Sequence, residues 1–202
     1  MTIIAFILLA YLLGSIPFAV VTSRIFGLPD PRAYGSRNPG ATNVLRSGKG
    51  AIALLTLMGD AGKGWLAVVL AQHFVPIFGL GKEVIVAVSL AVFLGHIFSV
   101  FLCFKGGRGV ATAVGVLLGL SLWVGLLAIA TWILVMIIWR ISSLSALVAA
   151  IMAPVYAWMF LDFEASILVI LIMSLLLIWR HKSNISRLLA GKEARIDRIN
   201  IL

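Results

Sequence analysis

Six long apolar runs separated by short polar segments constrain what this chain can fold into more than any other feature. They cover residues 3–23, 51–72, 84–104, 110–139, 144–161 and 165–179. A helix needs roughly 20 residues to cross the hydrocarbon core of a bilayer, and a chain in lipid must satisfy its backbone N–H and C=O groups internally. Runs of this length therefore predict an all-α integral membrane protein. Composition agrees, since 62% of the 202 residues are apolar and 11% are charged, outside the range of soluble domains. No internal repeat is visible, and residues 1–202 read as a single transmembrane helical domain.

The thirty-residue run 110–139 is too long for one upright helix and reads as a hairpin of two short ones, turning near Gly119 to Gly125. Lys and Arg collect in cytoplasmic loops, and here they fall in 24–49, 105–108, at Arg140 and in a tail from Arg180 to Arg198. One side holds all of these segments only if the chain crosses seven times, with the N-terminus outside and the C-terminus cytoplasmic. Lys82 is then the only basic side chain outside, beside Glu83, Asp162 and Glu164. The first run, with no basic segment before it, reads as a retained helix.

A formal charge of +9 raises the question of nucleic acid, but these cations lie between membrane runs and not on one water-exposed face. Anionic headgroups and anionic substrates are the expected partners. The lone cysteine, Cys103, offers neither a disulfide nor a structural zinc site. With a cationic site and no carboxylate cluster, neither a metal nor another cofactor is implied.

The unusual polar chemistry sits in four places. The loop YGSRNPGATNVLRSGKG, residues 34–50, has four glycines, the cations Arg37, Arg46 and Lys49, and no carboxylate. Ser36, Asn38, Thr42 and Asn43 are short side chains that cap turns, whereas Arg46 carries a rigid fork suited to phosphate. In KGGRGVAT, Lys105 to Thr112, Gly106, Gly107 and Gly109 permit backbone amides to converge just before a helix starts, with Lys105 and Arg108 alongside. The stretch reads either as a phosphate cradle or as a tight interfacial turn; it lacks P-loop spacing. Asp60 and Lys63 lie i, i+3 within an apolar run, where they pair with each other or brace the substrate cations. His96 reads as a hydrogen-bonded core residue. The tail RHKSNISRLLAGKE, Arg180 to Glu193, places His181 between two cations that favour its neutral form.

Together GSRNPGATN, GHIFSVF..FKGGRGVAT and RHKSNISRLLAGKE resemble the motifs of the bacterial acyl-phosphate-dependent glycerol-3-phosphate acyltransferase family, in order and over nearly the whole chain. The resemblance implies a bacterial inner-membrane enzyme with its site facing the cytoplasm. It implies transfer of a fatty acyl group from acyl phosphate to the 1-hydroxyl of glycerol 3-phosphate, giving lysophosphatidate and phosphate, the first acylation of phospholipid synthesis. Carried onto this sequence, Ser36, Asn43 and His181 become the candidate catalytic residues. Asn38, Thr42, Arg46, Lys105, Gly106, Gly107, Arg108, Gly109, Asn184 and Arg187 become substrate-binding candidates, with Asp60, Lys63, His96 and Glu193 as structural support. Arg108 stands where lysine is usual, and Arg37 where a small residue is common. The histidine–aspartate HxxxxD mechanism of other acyltransferases is excluded, because Phe78, Phe101 and Ser186 lie five residues after His73, His96 and His181. A transporter of a phosphorylated small molecule is the alternative of another class, and the lack of repeats speaks against it.

Overall fold

The computed structural model describes residues 1–196; Arg198, counted above with the basic tail, lies outside them. The described residues form helices and connecting loops without strands, as the apolar runs require. The chain divides into two compact units, Met1–Gly119 and the residues from Leu120 onward.

The first unit opens with α1 (Thr2–Ser15) and α2 (Phe18–Ile25), bent by 45° relative to each other. One unbroken helix was expected over 3–23. Pro17 interrupts it, because proline donates no hydrogen bond and drives the preceding residue out of helical geometry; Ile16 accordingly sits at φ −61°, ψ 115°. A short α3 (Ala41–Leu45) follows the polar loop. Next come α4 (Gly50–Ile77), α5 (Lys82–Ile97), a single 3-10 turn at Val100–Leu102, and α6 (Val110–Leu120). Glycines set the helix crossings. A Cβ at Gly14 would overlap the Val92 backbone, one at Gly95 the Tyr11 carbonyl, and one at Gly115 the Ala61 carbonyl. So α1 lies directly on α5, and α6 on α4, at backbone contact distance.

The second unit holds α7 (Leu122–Trp139), α8 (Ser142–Phe160), α9 (Glu164–Arg180) and α10 (Lys182–Leu189), the last two bent by 60°. Thr131 and Tyr156 link α7 to α8 through their hydroxyls at 2.7 Å. The long run 110–139 does break, at Ser121, inside the expected window; the Ser121 hydroxyl accepts from the Val124 N–H and caps α7.

Sorting by size identifies the surroundings of both units. Buried positions are rich in small residues, among them Ala19, Ala67, Ala71, Ala128, Ala153 and Ala157, while Leu54, Ile137, Leu168 and Trp158 are exposed. An apolar exterior of large side chains around a tight interior of small ones suits lipid and not water. Among the described residues, four helices are long and apolar enough to cross a membrane, or up to six if each bent pair is one span. A count of seven requires α6 as a crossing, and its 11 residues rise only about 16 Å.

Candidate active site

In the first unit, the polar loop is pinned from beneath by α3. Val44, fully buried, joins Ala19 of α2 and Ala53 of α4 in a small apolar cluster flanked by Leu28, Leu45 and Ile52. Anchoring one face of α3 orients its other polar residues, and Asn43 is the hub. Its Nδ2 donates to the carbonyls of Pro31 (2.6 Å) and Tyr34 (3.2 Å), and its Oδ1 accepts from the Ser36 N–H at 2.8 Å. With both amide hydrogens committed to loop carbonyls, Asn43 holds Ser36 in place through the backbone. Gly35, at φ +55°, allows this: a Cβ there would overlap Asn43 Oδ1.

Arg37 adopts φ +55° as well, a left-handed conformation that favours glycine, which gives a physical reason for a small residue at this position. Arg46 follows α3 immediately and is exposed, its Cδ against Gly35. Arg32 is paired with Asp30 at 2.6 Å. Ser36, Asn38 and Thr42 are half-buried along the same loop.

The glycine loop departs from expectation in an instructive way. The Gly106 N–H donates to the Ile97 carbonyl (3.2 Å) and the Gly107 N–H to the His96 carbonyl (3.1 Å). These amides cap the C-terminus of α5, so the picture of loop amides converging on a ligand is corrected for Gly106 and Gly107. Their lack of side chains serves packing: a Cβ on Gly106 would overlap the His96 carbonyl, and one on Gly107 the ring Nε2 of His96. Gly109, at φ +90°, lies against the Phe93 ring. The first turn of α6 follows the loop directly, and the leading amides of any α-helix point out of its N-terminus. Lys105 is exposed and Arg108 half-buried beside it.

Beneath the loop lies the anticipated ion pair. Lys63 Nζ is 2.8 Å from Asp60 Oδ1, with side chains 1% and 3% exposed. Lys63 also donates to the Ile16 carbonyl at 2.7 Å, and Asp60 Oδ1 lies 3.4 Å from His96 Nδ1. His96, buried, shares that nitrogen with the Thr112 hydroxyl at 3.1 Å. Neither the Ile16 carbonyl nor Thr112 was singled out in the sequence; the proline at 17 was the available signal for the first.

In the second unit the third motif closes on Glu193. Oε1 of this carboxylate accepts from the Ser143 hydroxyl (2.7 Å) and Asn184 Nδ2 (2.5 Å), and Oε2 from Arg187 Nε (2.6 Å). Burial pushes the Glu193 carboxyl up, but the bonds from Asn184, Ser143 and Arg187, with the Arg187 charge, outweigh it and hold the group below its ordinary value. The Ile196 N–H donates to the Arg140 carbonyl at 2.8 Å, tying down the end of this segment.

His181 sits at the bend between α9 and α10, 1% exposed, with Nδ1 2.8 Å from the Leu177 carbonyl. A carbonyl only accepts, so Nδ1 carries the hydrogen and Nε2 is the imine nitrogen of the neutral ring. Neutral His181 is thus equipped as a base at Nε2, and donates from Nε2 only as the imidazolium. Ser143 is a further residue the sequence reading missed; a serine in the first turn of an apolar helix, three positions after Arg140, was its signal.

The sequence profile described as Glycerol-3-phosphate acyltransferase matches residues 4–191. A protein named Glycerol-3-phosphate acyltransferase from Nitrosospira multiformis is 64% identical over 198 residues, covering 98% of each chain. One of the same name from Nitrosomonas eutropha is 61% identical over 189 residues, 94% of each. The crystal structure of PlsY (YgiH), described as an integral membrane glycerol 3-phosphate acyltransferase in its glycerol 3-phosphate form, superposes with a TM-score of 0.91 at 35% identity, covering 100% of this chain and 98% of that one. Its lysphosphatidic acid form gives 0.89 at 34% identity, over 98% and 96%. Matched in sequence along most of its length and in fold along all of it, this chain belongs to the glycerol-3-phosphate acyltransferase family.

Proposed function

We propose that this protein transfers a fatty acyl group from acyl phosphate to the 1-hydroxyl of glycerol 3-phosphate, releasing lysophosphatidate and phosphate, and so performs the first acylation of phospholipid synthesis. The observation carrying the acyl transfer is membership of the family over 94% or more of the relatives' length. The PlsY forms with glycerol 3-phosphate and lysphosphatidic acid support the acceptor and the product. The chain acts as a single acyltransferase domain, residues 1–202, in the bacterial inner membrane. Seven crossings place the N-terminus outside and the motifs on the cytoplasmic side.

The donor assignment rests on chemistry. Lys105, Arg108 and the start of α6 suit a compact phosphate attached directly to the reacting carbonyl. A thioester has no phosphate there. Arg46 serves the acceptor phosphate, and the aligned reactants supply most of the rate. The donor's own phosphate oxygen takes the hydroxyl proton. Ser36 orients the carbonyl, while Asn38, Thr42 and Asn43 hold the loop that presents it.

Purified protein offered labelled glycerol 3-phosphate with matched palmitoyl donors tests this reading. Turnover confined to palmitoyl phosphate, and lowered by Lys105→Ala or Arg108→Ala, is expected. Comparable rates with palmitoyl-CoA overturn the donor assignment. For topology, Cys103 is replaced and single cysteines are placed at residues 122, 162 and 190 in intact cells; labelling at 190 but not at 162 overturns the orientation.

A further inference from the structure

Lys63 and Asp60 form a buried ion pair in the middle of a membrane helix, where an apolar pair of equal volume is commonly at least as stable. Intramembrane charges of this kind ordinarily serve a function, yet neither group is exposed to a substrate. What they touch is informative. Lys63 takes up the Ile16 carbonyl that the Pro17 break leaves without a helical partner. The neighbouring Ser15 carbonyl is taken up by the Ser99 hydroxyl at 2.5 Å. On the other side, Asp60 reaches His96 Nδ1, and His96 governs the glycine loop twice over: its carbonyl accepts the Gly107 N–H, and its ring lies against Gly107 so closely that a Cβ would overlap Nε2. The same Nδ1 meets Thr112 in the first turn of α6. One histidine therefore meets the middle of the glycine loop at Gly107 and the first turn of α6 at Thr112, and its ring lies beside Asp60, which connects through Lys63 to the break between α1 and α2.

We propose that Lys63, Asp60 and His96 are positioning residues that fix the glycine loop, and with it Lys105 and Arg108, for the donor phosphate. The donor half of this statement rests on the function proposed above. The framing of the loop does not. His96 is not a catalytic residue here, because Nδ1 is engaged by Asp60 and Thr112 and Nε2 is covered by Gly107.

The test uses full-length protein in detergent. The double variant Lys63→Met/Asp60→Asn removes both charges without stranding either, His96→Phe keeps ring volume without the polar link, and Thr112→Val, nearly isosteric, replaces the double variant if that one does not fold. Two readouts are taken. Hydrogen exchange at the Gly106 and Gly107 amides should accelerate about tenfold, the equivalent of one ordinary hydrogen bond, with the amides of α1 unchanged. The KM for the acyl donor should rise about tenfold, again one such bond, with the KM for glycerol 3-phosphate unchanged. Unaltered exchange at Gly106 and Gly107 overturns the proposal. So does a fall in kcat with both KM values intact and a lowered melting temperature, the signature of a merely structural role. Failure of the wild-type protein to use acyl phosphate overturns the donor reading alone, and the exchange measurement then decides the positioning role by itself.

Discussion

Replacing Asn43 by alanine should loosen the polar loop without disturbing the helices beneath it. The side chain makes three hydrogen bonds, to the Ser36 N–H and to the carbonyls of Pro31 and Tyr34, and is 1% exposed. Each such bond contributes roughly 1 kcal/mol net, so the loop should lose about 3 kcal/mol against its opened form. Val44, the apolar anchor, is untouched and keeps α3 on α2 and α4. The opened population of the loop should rise about 100-fold, since each 1.4 kcal/mol is a factor of ten. Amide hydrogen exchange reads this directly: the Ser36 amide should exchange about 100-fold faster, with α4 amides at wild-type rates. Asn43→Asp should do no better, because its carboxylate keeps an acceptor for Ser36 but turns oxygens toward two carbonyls. Wild-type exchange at Ser36 in both variants would refute the assignment of Asn43 as the hub.

Other perturbations follow from the same geometry. Because the Glu193 carboxyl is held below its ordinary value near 4.5, its contribution is full above that pH and is lost as the pH falls through the lowered value. The stability gap between wild type and Glu193→Gln, followed by thermal unfolding, should therefore close only under acid conditions, and a gap independent of pH would contradict this. Arg37→Gly should raise the melting temperature, relief of left-handed strain exceeding the added chain entropy by about 0.5 kcal/mol; a lower melting temperature would refute it. Arg46→Ala should raise the KM for glycerol 3-phosphate about tenfold to a hundredfold, the loss of one charge-assisted contact, with little change in kcat. Normal kinetics with both substrates would remove Arg46 from the site.

Much of this protein is legible one residue at a time. Apolar runs alone predict a helical membrane protein, because lipid leaves the backbone no other partner than itself. The i, i+3 spacing of Asp60 and Lys63 predicts their pairing, because helix geometry is local. The break near Ser121 follows from a run too long for one span. Three motifs in order point to the family.

Tertiary structure alone decided what those residues touch. Lys63 finds the Ile16 carbonyl 47 positions away, and Glu193 finds Ser143 across 50; no local period encodes either contact. The glycines of the second motif suggested amides open to a ligand, whereas the fold uses two of them to cap α5 and to seat the loop on the His96 ring. Glycine permits close approach of any kind, and only the neighbouring backbone determines whether the visitor is a phosphate or another helix.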